Sequence, residues 1–139
     1  MKEITKNYFV SSQVAIKDID HFKKEGFEVI VCNRPNNEEP NQPDFESISK
    51  ECKRLGIEFY NFPLSPGELN LARIQETKKI IEDGKKTLAY CRTGTRCITL
   101  WACAEIQNQE VNEILKLSAK VGYDLNHLEE IFTSLKSAS

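Results

Sequence analysis

The segment LAYCRTGTRCITLWA, residues 88–102, carries the pattern that decides the fold of this chain. An apolar run ends at Cys91, and residues 92–97 contain two arginines, two threonines and one glycine before the sequence becomes apolar again. The apolar run predicts a buried strand, and the return of apolar residues predicts a helix that begins near Arg96. The segment therefore predicts a strand, a tight loop and a helix, with a thiol at the carboxyl end of the strand.

Length and charge exclude several classes of protein. The chain has 139 residues, which predicts a single domain over residues 1–139 with a substantial core. Its formal net charge of −2 provides no overall field for binding nucleic acid or an acidic membrane surface. No apolar stretch is long enough to span a bilayer, and the first residues, MKEITKNYFVSSQVA, do not resemble a secretory signal.

The cysteine count bears on location and on metal binding. Five cysteines without a secretory signal predict free thiols and a reducing, cytoplasmic setting. There is no C-x-x-C pair, and the two histidines, His21 and His127, lie far from the cysteines in sequence and are expected on helix surfaces. We therefore expect neither a metal site nor a cofactor.

Strand and helix patterns alternate along the chain. Strands are predicted near residues 8–10 and at 27–32, 57–62 and 87–91. Helices are predicted at 18–25, at 44–55 after an Asp44 N-cap, at 70–81 after an Asn70 N-cap, and in three segments between 96 and 135. This alternation predicts an α/β fold of three layers, with a mainly parallel sheet flanked by helices.

Sites in parallel sheets open at the carboxyl ends of the strands. In this chain those ends deliver residues 32–34, the loop at 63–70, and Cys91. We therefore expect these three segments to converge on one place.

The loop after Cys91 is suited to binding an anion. Its amides can curl into a nest of donors at a helix N-terminus, and Gly94 permits the positive φ that such a curl needs. The same field favours the thiolate of Cys91, whose pKa should be lowered, and the planar fork of Arg96 suits two oxygens of a phosphate. The predicted substrate-binding residues of the loop are Arg92, Thr93, Gly94, Thr95 and Cys97.

The motif CRTGTR, with NRPNNEE after an earlier strand and LWA behind it, resembles the phosphatase-like domain of the beta-lactamase-hydrolase-like family. That family is related to the dual-specificity phosphatases. The resemblance runs from about Phe9 to Asp124 and includes GFEVIVCNRP and AKVGYD. It implies a dual-specificity-phosphatase-like fold in which Cys91 is the nucleophile and forms a phosphocysteine. It also implies that the loop amides and Arg96 hold the phosphate of a phosphorylated, or other tetrahedral-anion, substrate.

Three features depart from the pattern of protein tyrosine phosphatases. Those enzymes place five residues between cysteine and arginine, whereas four separate Cys91 from Arg96, as in the active loop of rhodaneses. A hydroxyl residue usually follows the arginine, and here it is Cys97. Their general-acid aspartate is missing from the loop LSPGELN, which offers only Glu68. Glu38 and Glu39 are the alternative acids.

Three functions remain open at this point: a cysteine-dependent phosphatase, a sulfurtransferase with a persulfide on Cys91, and a non-catalytic anion-binding module. Arg34 either reaches the anion or pairs with a neighbouring glutamate. Cys32 is a candidate redox partner of Cys91, since parallel strand ends lie about 5 Å apart. Cys97, on the first helical turn, need not face Cys91. The sequence does not indicate the natural substrate or the oligomeric state.

Overall fold

A five-stranded sheet organises the protein, whose computed structural model describes residues 1–138. The strand order is β1-β2-β5-β3-β4, so β5 lies at the centre. Only β1 and β2 are antiparallel, and all other neighbours pair in parallel, which confirms the mainly parallel sheet. The strands are β1 (Lys2–Thr5), β2 (Tyr8–Ser11), β3 (Val29–Cys32), β4 (Glu58–Asn61) and β5 (Thr87–Tyr90).

Helices cover both faces of the sheet. Helices α1 and α2 pack with one core cluster, which includes Ile30 and Leu88, and α3 to α6 pack with the other, which includes Val31 and Ala89. The predicted three-layer α/β fold is therefore confirmed. The helices are α1 (Ile19–Lys24), α2 (Phe45–Leu55), α3 (Leu71–Asp83), α4 (Thr95–Glu105), α5 (Val111–Lys120) and α6 (Glu129–Ser137).

Local signals explain where the helices begin. The Asp44 side chain accepts a hydrogen bond from Ser47 N at 2.7 Å and begins α2, and Asn70 accepts from Arg73 N at 3.1 Å and begins α3. Both predicted N-caps are confirmed. Strand β1 was not predicted, because only Ile4 among its four residues is buried and the rest of its pattern is polar. None of the helices in residues 1–138 is long and apolar enough to cross a membrane.

Backbone hydrogen bonds tie the strand ends together. Asn33 N donates to Tyr90 O at 2.8 Å, and Leu64 N donates to Asn33 O at 3.1 Å. Cys91 N donates to Ser11 O at 3.2 Å. The predicted convergence of residues 32–34, the loop after β4 and Cys91 is therefore present.

Candidate active site

Cys91 lies buried immediately after the central strand, at the base of the loop that leads to α4. Its Sγ accepts a hydrogen bond from Gly94 N at 3.1 Å. Gly94 is the N-cap of α4 and has a φ of +95°, the left-handed conformation predicted for it. The loop therefore curls back so that its amides face the sulfur.

The environment of Cys91 strongly favours the thiolate. A hydrogen bond from the Cys97 thiol is the largest contribution, and with the amides of Cys97, Thr93 and Gly94 it outweighs burial and lowers the pKa of Cys91 to about 5. Burial raises the pKa of Cys97 well above its ordinary range, so Cys97 stays a neutral donor. The lowered pKa was predicted, but the contribution of the Cys97 thiol to it was not.

Arg96, on the first turn of α4, is fixed by three hydrogen bonds. Its Nη1 donates to Glu38 Oε2 and to Leu64 O, both at 2.8 Å, and its Nη2 donates to Glu38 Oε1 at 2.8 Å. A guanidinium has five N–H donors. Within residues 1–138, no hydrogen bond uses Nε–H or the second N–H of Nη2. These two donors lie on the same side of the planar guanidinium and remain available to bind a tetrahedral anion.

Arg34 does not reach the anion site. It is almost fully buried, and its nitrogens donate to Glu38 Oε1 at 2.8 Å, Glu39 Oε1 at 2.6 Å and Gln13 Oε1 at 2.9 Å. Of the two roles left open by the sequence, the structure shows the pairing role. Arg34 anchors the acidic loop, and Glu38 then connects Arg34 to Arg96.

Loop 33–43, which carries Glu38, is built by side-chain hydrogen bonds to its own backbone. Gln42 Oε1 accepts from Glu38 N at 3.0 Å and from Glu39 N at 3.3 Å, and Gln42 Nε2 donates to Pro35 O at 2.9 Å. The Asn36 side chain accepts from Phe45 N at 2.9 Å. These contacts hold the loop in shape and join it to the start of α2, and thereby place the Glu38 carboxylate near Arg96.

None of the three candidate acids has the raised pKa that a proton donor at neutral pH requires. Hydrogen bonds from Arg96 and Arg34 lower the pKa of Glu38, and a hydrogen bond from Arg34 lowers that of Glu39. Glu68 accepts from Ser65 N at 2.9 Å and Asn70 Nδ2 at 3.2 Å, and these bonds lower its pKa. All three carboxylates are therefore ionised near neutrality, and the general acid stays unassigned.

The mouth of the loop is polar and open. Arg92 is exposed and lies 3.5 Å from Glu39 between Nε and Oε1. The side chains of Thr93 and Thr95 are exposed, with their hydroxyl oxygens 3.1 Å apart. An open depression in front of Arg96 is lined by Glu38, Glu39, Pro66, Arg92 and Arg96.

Cys32 lies on the other face of the sheet from Cys91. In the β3–β5 ladder it stands opposite Tyr90, and both belong to the core cluster beneath α1 and α2, whereas Cys91 belongs to the opposite cluster. Its Sγ donates to Arg34 O at 3.2 Å, and burial raises the pKa of its thiol. The disulfide required β3 and β5 to be adjacent, and they are, but Cys32 and Cys91 pack in opposite core clusters. The redox role of Cys32 stays a prediction.

Two contacts at the site were not singled out from the sequence. Gln13 orients Arg34, and Tyr123 donates from its hydroxyl to Thr93 O at 2.9 Å. Both contacts join segments distant in the chain, although Tyr123 belongs to the AKVGYD segment. Within residues 1–138, no three His, Cys, Asp or Glu side chains form a group that could hold a metal ion.

The three-layer α/β fold is shared with the solved structures of Tk-PTP and human DUSP28, which resemble this chain in fold. The sequence profile described as beta-lactamase hydrolase-like protein, phosphatase-like domain, matches residues 1–108. The chain belongs to this family, as the resemblance in its motifs indicated. Helices α5 and α6 follow the matched region.

Individual relatives agree with this assignment. The beta-lactamase hydrolase-like protein of Xylella fastidiosa is 27% identical over 126 residues, which are 88% of this chain but only 29% of that relative. The solved structure of a candidate phosphatase from Neisseria meningitidis is 28% identical to this chain, with a TM-score of 0.85 and 96% coverage of both chains. Human DUSP28, 13% identical with a TM-score of 0.69, covers 99% of this chain and 96% of its own and shares the fold.

Proposed function

We propose that this domain is a cysteine-dependent phosphatase that acts through a phosphocysteine on Cys91. One observation carries the proposal: the same loop holds a thiolate and an anion-binding cation. The pKa of Cys91 is lowered to about 5, and two N–H donors of Arg96 remain for an anion. A nucleophile and a pre-placed cation supply the positioning and electrostatic stabilisation that phosphoryl transfer needs.

The proposed reaction has two steps. Cys91 Sγ attacks phosphorus in line while the bond to the leaving oxygen breaks, and the loop amides and Arg96 stabilise the equatorial oxygens. Water then attacks the phosphocysteine and releases inorganic phosphate and the Cys91 thiolate. Cys97 supports the second step, since its S–H donates to the sulfur on which negative charge returns. Because the pKa values of Glu38, Glu39 and Glu68 are all lowered, the departing oxygen takes its proton from solvent.

A sulfurtransferase is the second candidate, and the length of the loop favours it. Four residues lie between Cys91 and Arg96, and a cradle of this size suits a persulfide on the cysteine. The ionised state of Glu38, Glu39 and Glu68 is compatible with this chemistry, because transfer of sulfane sulfur from thiosulfate needs no protonated leaving group.

Parallel assays separate the two reactions. Hydrolysis of an aryl phosphate and transfer of sulfur from thiosulfate to cyanide are measured on the same preparation, with Cys91→Ser as the control. The proposal predicts phosphate release that Cys91→Ser abolishes and little sulfur transfer. Sulfur transfer alone would establish the second candidate. Phosphate binding without either reaction would leave the anion-binding module.

A further inference from the structure

The peptide unit between Thr93 and Gly94 makes one hydrogen bond to Cys91 and another to a residue outside the active loop. Its N–H belongs to Gly94 and points at Cys91 Sγ, 3.1 Å from Gly94 N. Its carbonyl belongs to Thr93 and accepts from the Tyr123 hydroxyl at 2.9 Å. Because a trans peptide is planar, its N–H and C=O point in opposite directions. A contact that fixes the carbonyl therefore also aims the N–H.

Within the loop, the only hydrogen bond that residues 1–138 show for this peptide unit is the one from Gly94 N to Cys91 Sγ. Glycine occupies positive and negative φ with similar ease, so the peptide before Gly94 can rotate at low cost. After a rotation the Thr93 carbonyl would face the sulfur, and a thiolate near a carbonyl oxygen is disfavoured. The loop therefore needs an external contact to stay in the conformation that supports the thiolate.

The backbone that follows the C-terminal end of α5 places Tyr123 beside the loop. After α5, Gly122 takes a φ of +103°, and its N–H donates to Ala119 O at 3.0 Å. Tyr123 N donates to Ser118 O at 2.9 Å. This pair of hydrogen bonds is a Schellman motif, which fixes the direction of the chain after a helix. Tyr123 lies outside the residues 1–108 that the family profile matches.

Gly94 and Tyr123 fit against each other closely. A Cβ atom at Gly94 would lie 2.2 Å from the Tyr123 hydroxyl oxygen and 3.1 Å from its Cζ. Position 94 therefore requires glycine for two reasons, its positive φ and this contact. Burial, with Cys97 and Cys91 nearby, raises the pKa of Tyr123, so its hydroxyl stays protonated and remains a donor.

We propose that Tyr123 is a positioning residue that locks the Thr93–Gly94 peptide so that its N–H serves the Cys91 thiolate. Tyr123 does not touch the reacting atoms and acts through the peptide. Tyr123 supports the Cys91 thiolate whichever reaction the domain catalyses. Only its effect on turnover rests on the proposed phosphatase function.

Tyr123→Phe tests the proposal, since it removes the hydroxyl and keeps the ring. The rate of Cys91 alkylation by iodoacetamide is measured against pH by peptide mapping on the full chain. We expect Cys91 to become a weaker acid by about 3- to 10-fold, the equilibrium value of one net hydrogen bond. In ¹⁵N-labelled protein, the Gly94 amide signal should follow the titration of Cys91 in wild type and respond less in the variant.

Two further variants keep the test decisive. Tyr60→Phe removes a hydroxyl that bonds Glu58 on β4, at 3.2 Å, and should leave the Cys91 profile unchanged. Gly94→Ala breaks the same contact from the loop side and should weaken the acidity of Cys91 at least as much, which provides the test if Tyr123→Phe does not fold. A folded Tyr123→Phe protein with the wild-type alkylation profile would overturn the proposal. It would do so whether or not the protein hydrolyses phosphate esters.

Discussion

Glu38 and Arg96 face each other through two parallel hydrogen bonds of 2.8 Å, from Nη1 to Oε2 and from Nη2 to Oε1. The same carboxylate accepts from Arg34 Nε at 2.8 Å. Glu38 thus connects a buried arginine to the arginine of the anion-binding loop. It occupies the Nη1–Nη2 side of the Arg96 guanidinium and holds that side chain in place, which is the work of a positioning residue.

Glu38→Gln should weaken both activity and stability. The amide keeps one oxygen acceptor but loses the charge, and the buried Arg34 is left with poorer partners. We expect a loss of about 1–3 kcal/mol in the free energy of unfolding. Urea unfolding at pH 7 measures it. Glu39→Gln is the matched control, because Glu39 also accepts from Arg34 but is half exposed and makes no hydrogen bond to Arg96 within residues 1–138, and its effect should be clearly smaller. Equal losses in both variants would contradict the connecting role of Glu38.

The effect of Glu38 on stability should depend on pH. Its pKa is lower in the folded protein than in the unfolded chain. The contribution is therefore complete above the unfolded pKa, about 4.3, and disappears as the pH falls through the lowered folded pKa. The difference between wild type and Glu38→Gln should accordingly be constant from pH 6 to 8 and shrink below about pH 4. If the difference in the free energy of unfolding between wild type and Glu38→Gln grew as the pH fell, the predicted pH dependence would be contradicted.

Cys97→Ala should raise the pKa of Cys91, because it removes the strongest donor to the sulfur. The midpoint of iodoacetate alkylation should rise from about 5 in the wild type toward, but not to, the ordinary thiol value. Cys97→Ser restores a donor and should keep the midpoint low. Cys103→Ala provides the packing control: it empties a similar buried site on α4, where burial raises the thiol pKa to about 12. A shift equal to that of Cys97→Ala in this control would mean that packing alone is responsible.

The features that could be predicted from the sequence are those whose signals lie close together in the chain. The features that could not be predicted depend on contacts formed only in the folded protein. Asp44 and Asn70 were predictable as caps because a cap needs only its own helix. The contact of Cys97 with Cys91 depends on how the loop enters α4, and helical periodicity does not describe that entry. The pairing of Arg34 with both glutamates, and the Tyr123 contact across 30 residues, depend on tertiary packing.

Arg96→Lys should abolish most turnover while the fold is preserved. Lysine keeps the charge but lacks the paired, planar donors that match two oxygens of a tetrahedral anion. The loss in kcat/KM should be on the order of 10²-fold or more, as for removal of an oxyanion donor. Arg54→Lys is the control, since Arg54 is exposed on α2 and its side chain bonds Glu51 alone among residues 1–138. Activity within a few-fold of wild type would leave Arg96 as a residue that only begins the helix.

The rate of phosphate ester hydrolysis should depend steeply on the leaving group. Because Glu38, Glu39 and Glu68 are all ionised near neutral pH, activated aryl phosphates should react far faster than alkyl phosphates. Glu68→Gln should change neither rate much, as Glu68 bonds only within its own loop. Rates for a series of substituted phenyl phosphates measure the dependence. A large drop in Glu68→Gln that is confined to poor leaving groups would identify Glu68 as the acid.

Mild peroxide should distinguish Cys97 from Cys32 as the thiol that protects Cys91. Peroxide oxidises the Cys91 thiolate to a sulfenic acid and is itself reduced. A neighbouring thiol then attacks that sulfur, forms the disulfide and releases water. Cys97 already donates to Cys91, whereas Cys32 packs in the opposite core cluster, and a disulfide needs Cβ atoms about 4 Å apart. We therefore expect a Cys91–Cys97 link.

Peptide mapping can identify the link because trypsin cuts after Arg92 and Arg96, which places Cys91 and Cys97 on separate peptides. A thiol reductant should restore activity in wild type and in Cys32→Ser but progressively less in Cys97→Ser, in which excess peroxide oxidises the uncaptured sulfenic acid to the irreversible sulfinic acid. A Cys32–Cys91 link would instead support the redox role that the sequence predicted for Cys32.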